Sequence, residues 1–406
     1  MTGIYVHVPF CVSKCPYCDF YSLQLSSVDA DMRARYAAAV VREMERYDGV
    51  CADTLYFGGG TPSLLGGENL AAVIAAARKC FSLSDDAEVT LEANPADNLC
   101  ETLAAFAAAG GNRLSLGMQA SSADRLKTLG RRHTPRDVAC TVADARRAGI
   151  TNLSLDLMLA VPGQDAAAVT ADVETCAALG VQHVSAYLLK IEEGTPFEKM
   201  RDTLSLPDDD AAAELYLTAV AALERAGFAQ YEISNFSKAG FESRHNLKYW
   251  TGEPYLGFGP AAHSFFGGKR FFYPRDLAAF MAGGGTVAEE DDALPAGSEE
   301  EFALLRLRLT AGLSAAAFKE RFKKALPPAW IARARTLPPT LLRVTDAGIA
   351  LTPAGFLISD TLIAHILNLC FVHTPGGKCK YTERKRKGND NGCTENHGRG
   401  RRQQHL

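Results

Sequence analysis

Strand-like segments alternate with amphipathic helical segments over the first half of the chain, and this alternation constrains the fold more than any other feature. Alternating βα units predict a parallel sheet. The predicted strands cover residues 3–8, 53–57, 87–91, 112–116, 152–158 and 183–189. Six strands are too few to close an ordinary eight-stranded barrel. The pattern alone is therefore compatible with both a partial barrel and a doubly wound sheet.

Unusual residues follow these predicted strands at their carboxyl ends. Three cysteines follow the first strand, "GGGTP" (58–62) follows the second, and single residues at or near the carboxyl ends mark the others. Any one of them is explained equally well as a turn or a cap. Active sites of β/α barrels are built at the carboxyl ends of the strands, so their coincidence favours an α/β fold with a partial (β/α)6 barrel. The residues that mark the later strands are Glu92, Gln119, Asp156, Ala186, Tyr187 and Lys190.

The cysteines in "YVHVPFCVSKCPYCDF" have the spacing C-x3-C-x2-C and are Cys11, Cys15 and Cys18. Three thiolates on one loop can ligate three irons of a cubane iron–sulfur cluster and leave the fourth iron open to a small molecule. Zinc is the main alternative, but three sulfurs with no fourth ligand nearby make a poor structural zinc site. The other eight of the 11 cysteines are scattered singly, as is typical of reduced thiols in a reducing compartment.

Charge and hydropathy exclude several classes of function. The net charge is −4, and residues 371–406 contribute nine Lys or Arg against three acids, so the body carries about −10 and is a poor nucleic-acid binder. No apolar run reaches the roughly 18 residues of a membrane span, although peripheral membrane contact stays open. The sequence enters "GIYVHV" without a signal-like segment, so we expect a cytoplasmic protein.

The glycine run "GGGTP" is not a phosphate loop, because no lysine follows it. Its bare backbone suits the close approach of an amino acid's ammonium or carboxylate group. With the cysteine loop, it resembles the radical S-adenosylmethionine superfamily. Further motifs resemble the branch that contains oxygen-independent coproporphyrinogen III oxidases and the haem chaperone HemW, over residues 3 to about 366. These motifs are "TLYFGGGTPS", "LEANP", "LSLGMQA", "LGRRHT" and "LDLMLAVPGQ".

The resemblance implies a cofactor site. Cys11, Cys15 and Cys18 would ligate a [4Fe–4S] cluster whose fourth iron is chelated by S-adenosylmethionine, and an electron donor would reduce the cluster so that a 5′-deoxyadenosyl radical can form. Ala160 departs from the family, which usually has glycine there. The residues that fall where the family binds S-adenosylmethionine are Tyr5, Gly59, Gly60, Thr61, Glu92, Gln119, Arg131, Asp156 and Ala186.

Three features favour the haem chaperone over the oxidase. Phe20 stands where the oxidases have a further cysteine, only ten residues precede Cys11, and "RHNLKYW" (244–250) matches the H-N-x-x-Y-W motif of the chaperones. The resemblance thus implies a chaperone with haem as cargo and haem-accepting proteins as partners. The alternatives are a coproporphyrinogen dehydrogenase of porphyrin biosynthesis and, more weakly, a radical enzyme with an unrelated substrate.

The segment "RHNLKYW" has a physical interpretation of its own. His245 offers an imidazole for haem iron, and the aromatic and basic residues beside it offer flat faces and charge for a porphyrin and its propionates. Alternatively, His245 caps local backbone while the aromatic residues fill an interior. His263 is an equally available imidazole. The neighbouring residues meant here are Arg244, Lys248, Tyr249 and Trp250.

We expect three regions: a barrel at 1–235, a smaller C-terminal α/β domain of the HemN type at 236–370, and a basic, disordered tail at 371–406. Residues 341–367 predict two short strands with a turn at Asp346–Gly348 and then a helix, as in a winged-helix-like module. The charge of this module is unremarkable, which favours packing over nucleic-acid binding.

Overall fold

The structure is a computed structural model that describes residues 1–27, 30–95, 98–283, 287–289, 294–373 and 379–383. The chain divides into two compact units, Met1–Glu290 and Asp291–Leu406. Within the described residues, no helix has both the length and the apolar character needed to cross a membrane.

A parallel sheet forms the core of the first unit. Its strands lie in chain order, and each is parallel to the next. All of the predicted strands are present, and the partial (β/α)6 barrel is confirmed. The strands are β1 (Thr2–Val8), β2 (Ala52–Gly59), β3 (Glu88–Ala93), β4 (Arg113–Gln119), β5 (Asn152–Leu159) and β6 (His183–Leu188).

Helices connect these strands, and their amphipathic sequences explain why they form. Helix Pro135–Arg147 begins at a capping box in which Thr134 and Asp137 satisfy each other's backbone N–H groups. Its apolar side chains, among them Val138 and Val142, are buried. The other helices of this layer are Ala30–Met44, Gly67–Cys80, Cys100–Ala108, Ala123–Thr128, Ala166–Ala178 and Asp209–Arg225.

The sheet continues beyond both edges of the parallel core. After β6 come β7 (Ala229–Gln230) and β8 (Asn235–Ser237), which pairs antiparallel with β6. The chain then passes through helix Arg244–Thr251 to the other edge, where β9 (Tyr255–Phe258) pairs parallel with β1. Antiparallel strands follow: β10 (His263–Phe266), β11 (Lys269–Phe272) and β12 (Ala288–Glu289).

These edge strands place the end of the first compact unit later in the chain than the expected boundary. We expected the barrel to end at residue 235, but residues 236–289 include strands that extend the same sheet, so the first compact unit ends at Glu290. Hydrogen bonds between β9 and β1 cause the difference, and they join residues about 250 positions apart in sequence.

The second unit has the winged-helix-like order that we expected. Its short strand β13 (Leu313–Ser314) pairs with a hairpin of β14 (Leu342–Thr345) and β15 (Gly348–Leu351), which turns at the predicted place. Phe302, Phe318 and Trp330 are buried in its core. Its helices are Glu299–Arg306, Ala315–Phe322, Pro328–Ala334, Pro353–Phe356 and Ser359–Leu367.

Part of the predicted disordered tail is paired as strands. Strands β16 (Leu369–His373) and β17 (Cys379–Glu383) form an antiparallel pair, so the expectation of disorder does not hold there. Their valine, threonine and aromatic residues have high strand propensity, which the charge of the tail obscured. The rest of the predicted tail lies outside the described residues.

Candidate cofactor site

The three cysteines lie on one loop at the carboxyl end of β1. Cys11, Cys15 and Cys18 are each half-buried, and the backbone N–H of Cys18 donates to the carbonyl of Cys15 at 3.1 Å. A short parallel pairing of Phe10–Cys11 with Leu23–Gln24 closes the loop. The thiols are thus presented together at the edge of the barrel where we expected the site.

The glycine run after β2 leaves space for this loop. A Cβ on Gly60 would lie 2.7 Å from the carbonyl oxygen of Phe10 and 3.0 Å from Cys11 Sγ. Gly59 has φ of +115°, which a residue with a side chain rarely adopts. Two residues later, Thr61 Oγ1 lies 3.6 Å from Cys11 Sγ. The run therefore allows the cysteine loop to pack directly against bare backbone.

A hydrogen-bonded chain links Thr61 to Arg131. Asn94 Nδ2 donates to Thr61 Oγ1 at 2.7 Å, and an Arg131 guanidinium N–H donates to Asn94 Oδ1 at 2.7 Å. The guanidinium carbon of Arg131 also lies 5.9 Å from the ring centre of Tyr17. Sequence reasoning missed the roles of Asn94 and Tyr17, although both lie within the motifs "LEANP" and "YVHVPFCVSKCPYCDF".

Glu92 is a carboxyl group whose environment favours a cationic partner. The phenol of Tyr56 donates to Glu92 Oε1 at 2.7 Å, and the backbone N–H of Gly59 also donates to this carboxyl group. Burial, together with the nearby charge of Asp156, raises the pKa of Glu92 to about 7. An ammonium group placed here would relieve this cost, because an adjacent positive charge favours the ionised carboxylate.

Asp156, on β5, lies close to Glu92, on β3. Ser115 Oγ donates to Asp156 Oδ1 at 3.1 Å, and Ser185 also donates to this carboxylate. Burial raises the pKa of Asp156, and the positive charges of Arg113 and Arg131 oppose that shift. The site therefore has a second acceptor group that is suited to a ligand hydroxyl.

Two further residues that the sequence predicts for the site are described here by their burial and backbone. Gln119, at the end of β4, is buried and has φ of +65°, an uncommon conformation that tends to occur at functional sites. Ala186 in β6 is buried, and its N–H donates to the carbonyl of Ser234. Ala160 has φ of +58° directly after β5, which explains why glycine suits this position.

Tyr5 connects the cofactor edge with the barrel interior. Its hydroxyl lies 3.2 Å from His7 Nδ1, and its ring centre lies 6.1 Å from that of Tyr56. A Cβ on Gly58 would lie 2.7 Å from the Tyr5 ring. The first residue of the glycine run is therefore bare because Tyr5 packs against it.

His245 is not placed as a haem ligand in this structure. It is 1% exposed; its Nδ1 is 2.8 Å from Thr54 Oγ1, and its Nε2 is 2.9 Å from Tyr249 Oη. Both ring nitrogens are therefore occupied, which agrees with the alternative of an interior packing residue. Burial lowers the pKa of His245 to about 3, and the charges of Lys248 and Arg113 add to this effect.

The helix that carries His245 is held at the amino end of the sheet. The backbone N–H groups of Arg244 and His245 each donate to a carboxylate oxygen of Glu88 at 3.0 Å. Lys248 is buried and pairs with Asp53 at 2.8 Å. The basic residues expected to face propionates are thus engaged by carboxylates. His263 is exposed and stacks on Phe272 at 5.2 Å.

Three thiols on one loop are the donor set expected for an iron–sulfur cluster. Among the described residues, no group of three or more His, Cys, Asp or Glu side chains is placed to hold a single metal ion. The loop nevertheless presents three thiols within eight residues against the bare backbone of Gly60. Of the other described cysteines, Cys80 and Cys176 are buried apart from this loop.

Comparisons with known proteins agree with this geometry. The model of the Radical SAM superfamily matches residues 5–176. The haem chaperone HemW of Mycobacterium tuberculosis (strain H37Rv) is 38% identical over 382 residues, which cover 90% of this chain and 94% of that protein. HemW of Bacillus subtilis (strain 168) is 33% identical over 377 residues, which cover 90% of this chain and 99% of that protein.

The chain belongs to the HemW family of radical SAM proteins. The resemblance inferred from the motifs is thereby confirmed. Membership of the superfamily implies a [4Fe–4S] cluster, as the cysteine loop predicted, and S-adenosylmethionine, as the resemblance implied. The HemW relatives match the chain through both of its compact units, since they cover nine-tenths of its length.

The fold of this chain is shared with a solved oxidase. The structure of the radical SAM coproporphyrinogen III oxidase HemN of Escherichia coli has a TM-score of 0.74 and 20% identity, and covers 90% of this chain and 89% of its own. This likeness confirms the radical SAM barrel with its smaller C-terminal domain. At 20% identity, this likeness is evidence for the shared fold only.

Proposed function

We propose that this protein is a haem chaperone that binds haem together with a [4Fe–4S] cluster and S-adenosylmethionine and delivers haem to target proteins. The observation that best supports this proposal is the 38% identity, over nine-tenths of the chain, to a protein named as a haem chaperone. Phe20 supports the same choice, because its exposed aromatic ring stands where the oxidases have a further cysteine.

The cysteine loop would hold the cluster, and the glycine run would hold the methionyl end of S-adenosylmethionine. Glu92 would accept the ammonium, since burial and the charge of Asp156 leave its carboxyl group with a pKa near 7, which a bound cation would lower. Arg131 and Asn94 would keep Thr61 in place beside Cys11. When bound, the reduced cluster supplies an electron for cleavage of S-adenosylmethionine. The partners are therefore an electron donor and haem-accepting proteins.

The alternative is a coproporphyrinogen dehydrogenase, and one experiment separates the two. Anaerobically reconstituted protein is incubated with haem and, separately, with coproporphyrinogen, S-adenosylmethionine and an electron donor. The chaperone binds haem and yields no protoporphyrinogen. Steady formation of protoporphyrinogen would overturn the proposal in favour of the dehydrogenase.

A further inference from the structure

A groove of about 830 Å³ lies between helix Ala30–Met44 and the short helix Leu277–Met281. This volume is in the range of about 300–1,000 Å³ that is usual for small-molecule sites. Leu23, Ala38 and Leu277 give the groove apolar walls. Such a site suits a largely apolar ligand with a few charged groups.

We propose that this groove is the haem site of the protein. The proposal rests on the chaperone function proposed above and gives that function a location, which the buried His245 does not provide. The occupant is haem, a flat apolar macrocycle with two carboxylates and an iron. The apolar walls suit the macrocycle, and two further features of the groove match the carboxylates and the iron.

Two arginines and one acid, Asp276, line the groove, and the arginines suit the two carboxylates of haem. The Asp276 carboxylate accepts the N–H of Ala279 at 3.0 Å. Arg35 and Arg42 line the groove and lie seven residues apart on helix Ala30–Met44, so they lie on the same face, two turns or about 10 Å apart along the axis. Arg35 pairs with the exposed Asp31 at 2.8 Å, and Arg42 donates to the carbonyl of Met281 at 3.0 Å. Haem propionates would replace or share these partners, and arginine suits carboxylates because of its planar fork of donors.

Two methionines of the groove offer thioether sulfur as a ligand for the haem iron. Met32 and Met281 line opposite walls of the groove, and methionine is an axial ligand of haem iron in cytochromes. The described residues that line the groove include no histidine. Tyr21 also lines it, but its phenol oxygen accepts the N–H of Leu277 at 3.1 Å. Methionine is therefore the ligand type that the groove offers.

The groove is connected to the cofactor site, and this connection bears on the proposed function. Tyr21 lies three residues after Cys18, and its carbonyl oxygen is 2.9 Å from His7 Nε2. The same residue thus joins the end of the cysteine loop to a wall of the groove. Haem bound here would lie beside the cluster loop, where occupancy of one site can affect the other.

The test is titration of the reconstituted protein with haem and with iron-free protoporphyrin, followed by Soret absorption. Charge reversal of both arginines (R35E with R42E) should raise the Kd for both porphyrins at least tenfold, while Arg225→Glu, exposed on another helix, should not change it. Replacing both thioethers (M32L with M281L) should raise the Kd for haem at least fivefold and leave the Kd for protoporphyrin unchanged. Met200→Leu, exposed elsewhere, is the matched control.

Met281→His adds a readout that loss of folding does not mimic. A nitrogen ligand in place of sulfur should retain haem and shift the Soret band. The iron content and melting temperature of each variant must match those of the wild type, so that a loss of folding does not explain a change in haem binding. If wild-type protein binds haem and the groove variants bind it equally well, the groove proposal is overturned and the chaperone function stands. If wild-type protein binds no haem, the chaperone function fails and the groove proposal fails with it.

Discussion

His245 stacks on Tyr56 with ring centres 5.1 Å apart and planes inclined by 26°. The phenol of Tyr56 then donates to Glu92 at 2.7 Å. A motif at the amino end of the barrel is thereby connected through one ring to the carboxyl group expected to bind S-adenosylmethionine. His245 and Tyr56 can therefore be tested as positioning residues.

Tyr56→Phe should weaken S-adenosylmethionine binding by roughly fivefold to tenfold. The substitution keeps the ring stack but removes a hydrogen bond to Glu92, and such a bond contributes about 1–1.5 kcal/mol. Calorimetry on the reconstituted protein measures the affinity. Tyr47→Phe, a half-buried tyrosine away from this site, is the control, and equal affinities for the wild type and Tyr56→Phe would show that the bond does not position Glu92.

The affinity for S-adenosylmethionine should fall as the pH is lowered through about 7. The free Glu92 carboxyl has a pKa of about 7, so it is ionised and available to the ammonium above that pH and protonated below it. Tyr56, Asp156 and Arg113 are the other groups that act on it. Glu92→Gln should lower the affinity by roughly one to two orders of magnitude at pH 8 and flatten the profile. A profile for Glu92→Gln that matches the wild type would exclude this role.

Acid should destabilise the fold through His245. Its folded pKa of about 3 lies below the ordinary value of 6.5, so protonation favours the unfolded chain. The contribution of neutral His245 is fully present above pH 6.5 and is lost progressively as the pH falls toward 3, by up to roughly 4 kcal/mol. The free energy of unfolding, measured across this window, should depend less on pH for His245→Gln. His263→Ala, which removes an exposed imidazole, is the control.

Cys11, Cys15 and Cys18 should carry the iron of the protein. Replacing all three with alanine should abolish the brown colour and bound iron of anaerobic preparations, because these thiols share one loop. Replacing Cys51, Cys100 and Cys140, which are exposed on separate elements, should leave iron content unchanged. Full iron in the first variant would contradict the assignment.

Ala160→Gly should stabilise the protein by about 1 kcal/mol. Ala160 has φ of +58°, and this conformation costs a residue with a Cβ roughly 1–2 kcal/mol, which is partly offset by the greater flexibility of glycine in the unfolded chain. Ala171→Gly, on the exposed side of helix Ala166–Ala178, should destabilise by a similar amount. Denaturant unfolding measures both, and a destabilised Ala160→Gly would show that the methyl group packs favourably.

The local sequence was sufficient to predict the parallel strands and the cysteine loop. Hydrophobic patterns of period two and period 3.6 indicate which side of a single strand or helix is buried. The spacing C-x3-C-x2-C places three thiols on one loop, whatever surrounds that loop. The run "GGGTP" could be read in the same way, because it stands immediately after a predicted strand.

Tertiary structure alone decided the place of β9 and the role of His245. The pairing of Tyr255–Phe258 with β1 extends the first unit to Glu290, and it depends on partners far away in sequence. His245 is a possible iron ligand by residue type, but Thr54 and Tyr249 occupy its two nitrogens and burial keeps it neutral. Long-range packing determines which donor groups remain accessible, and no local pattern in the sequence records that packing.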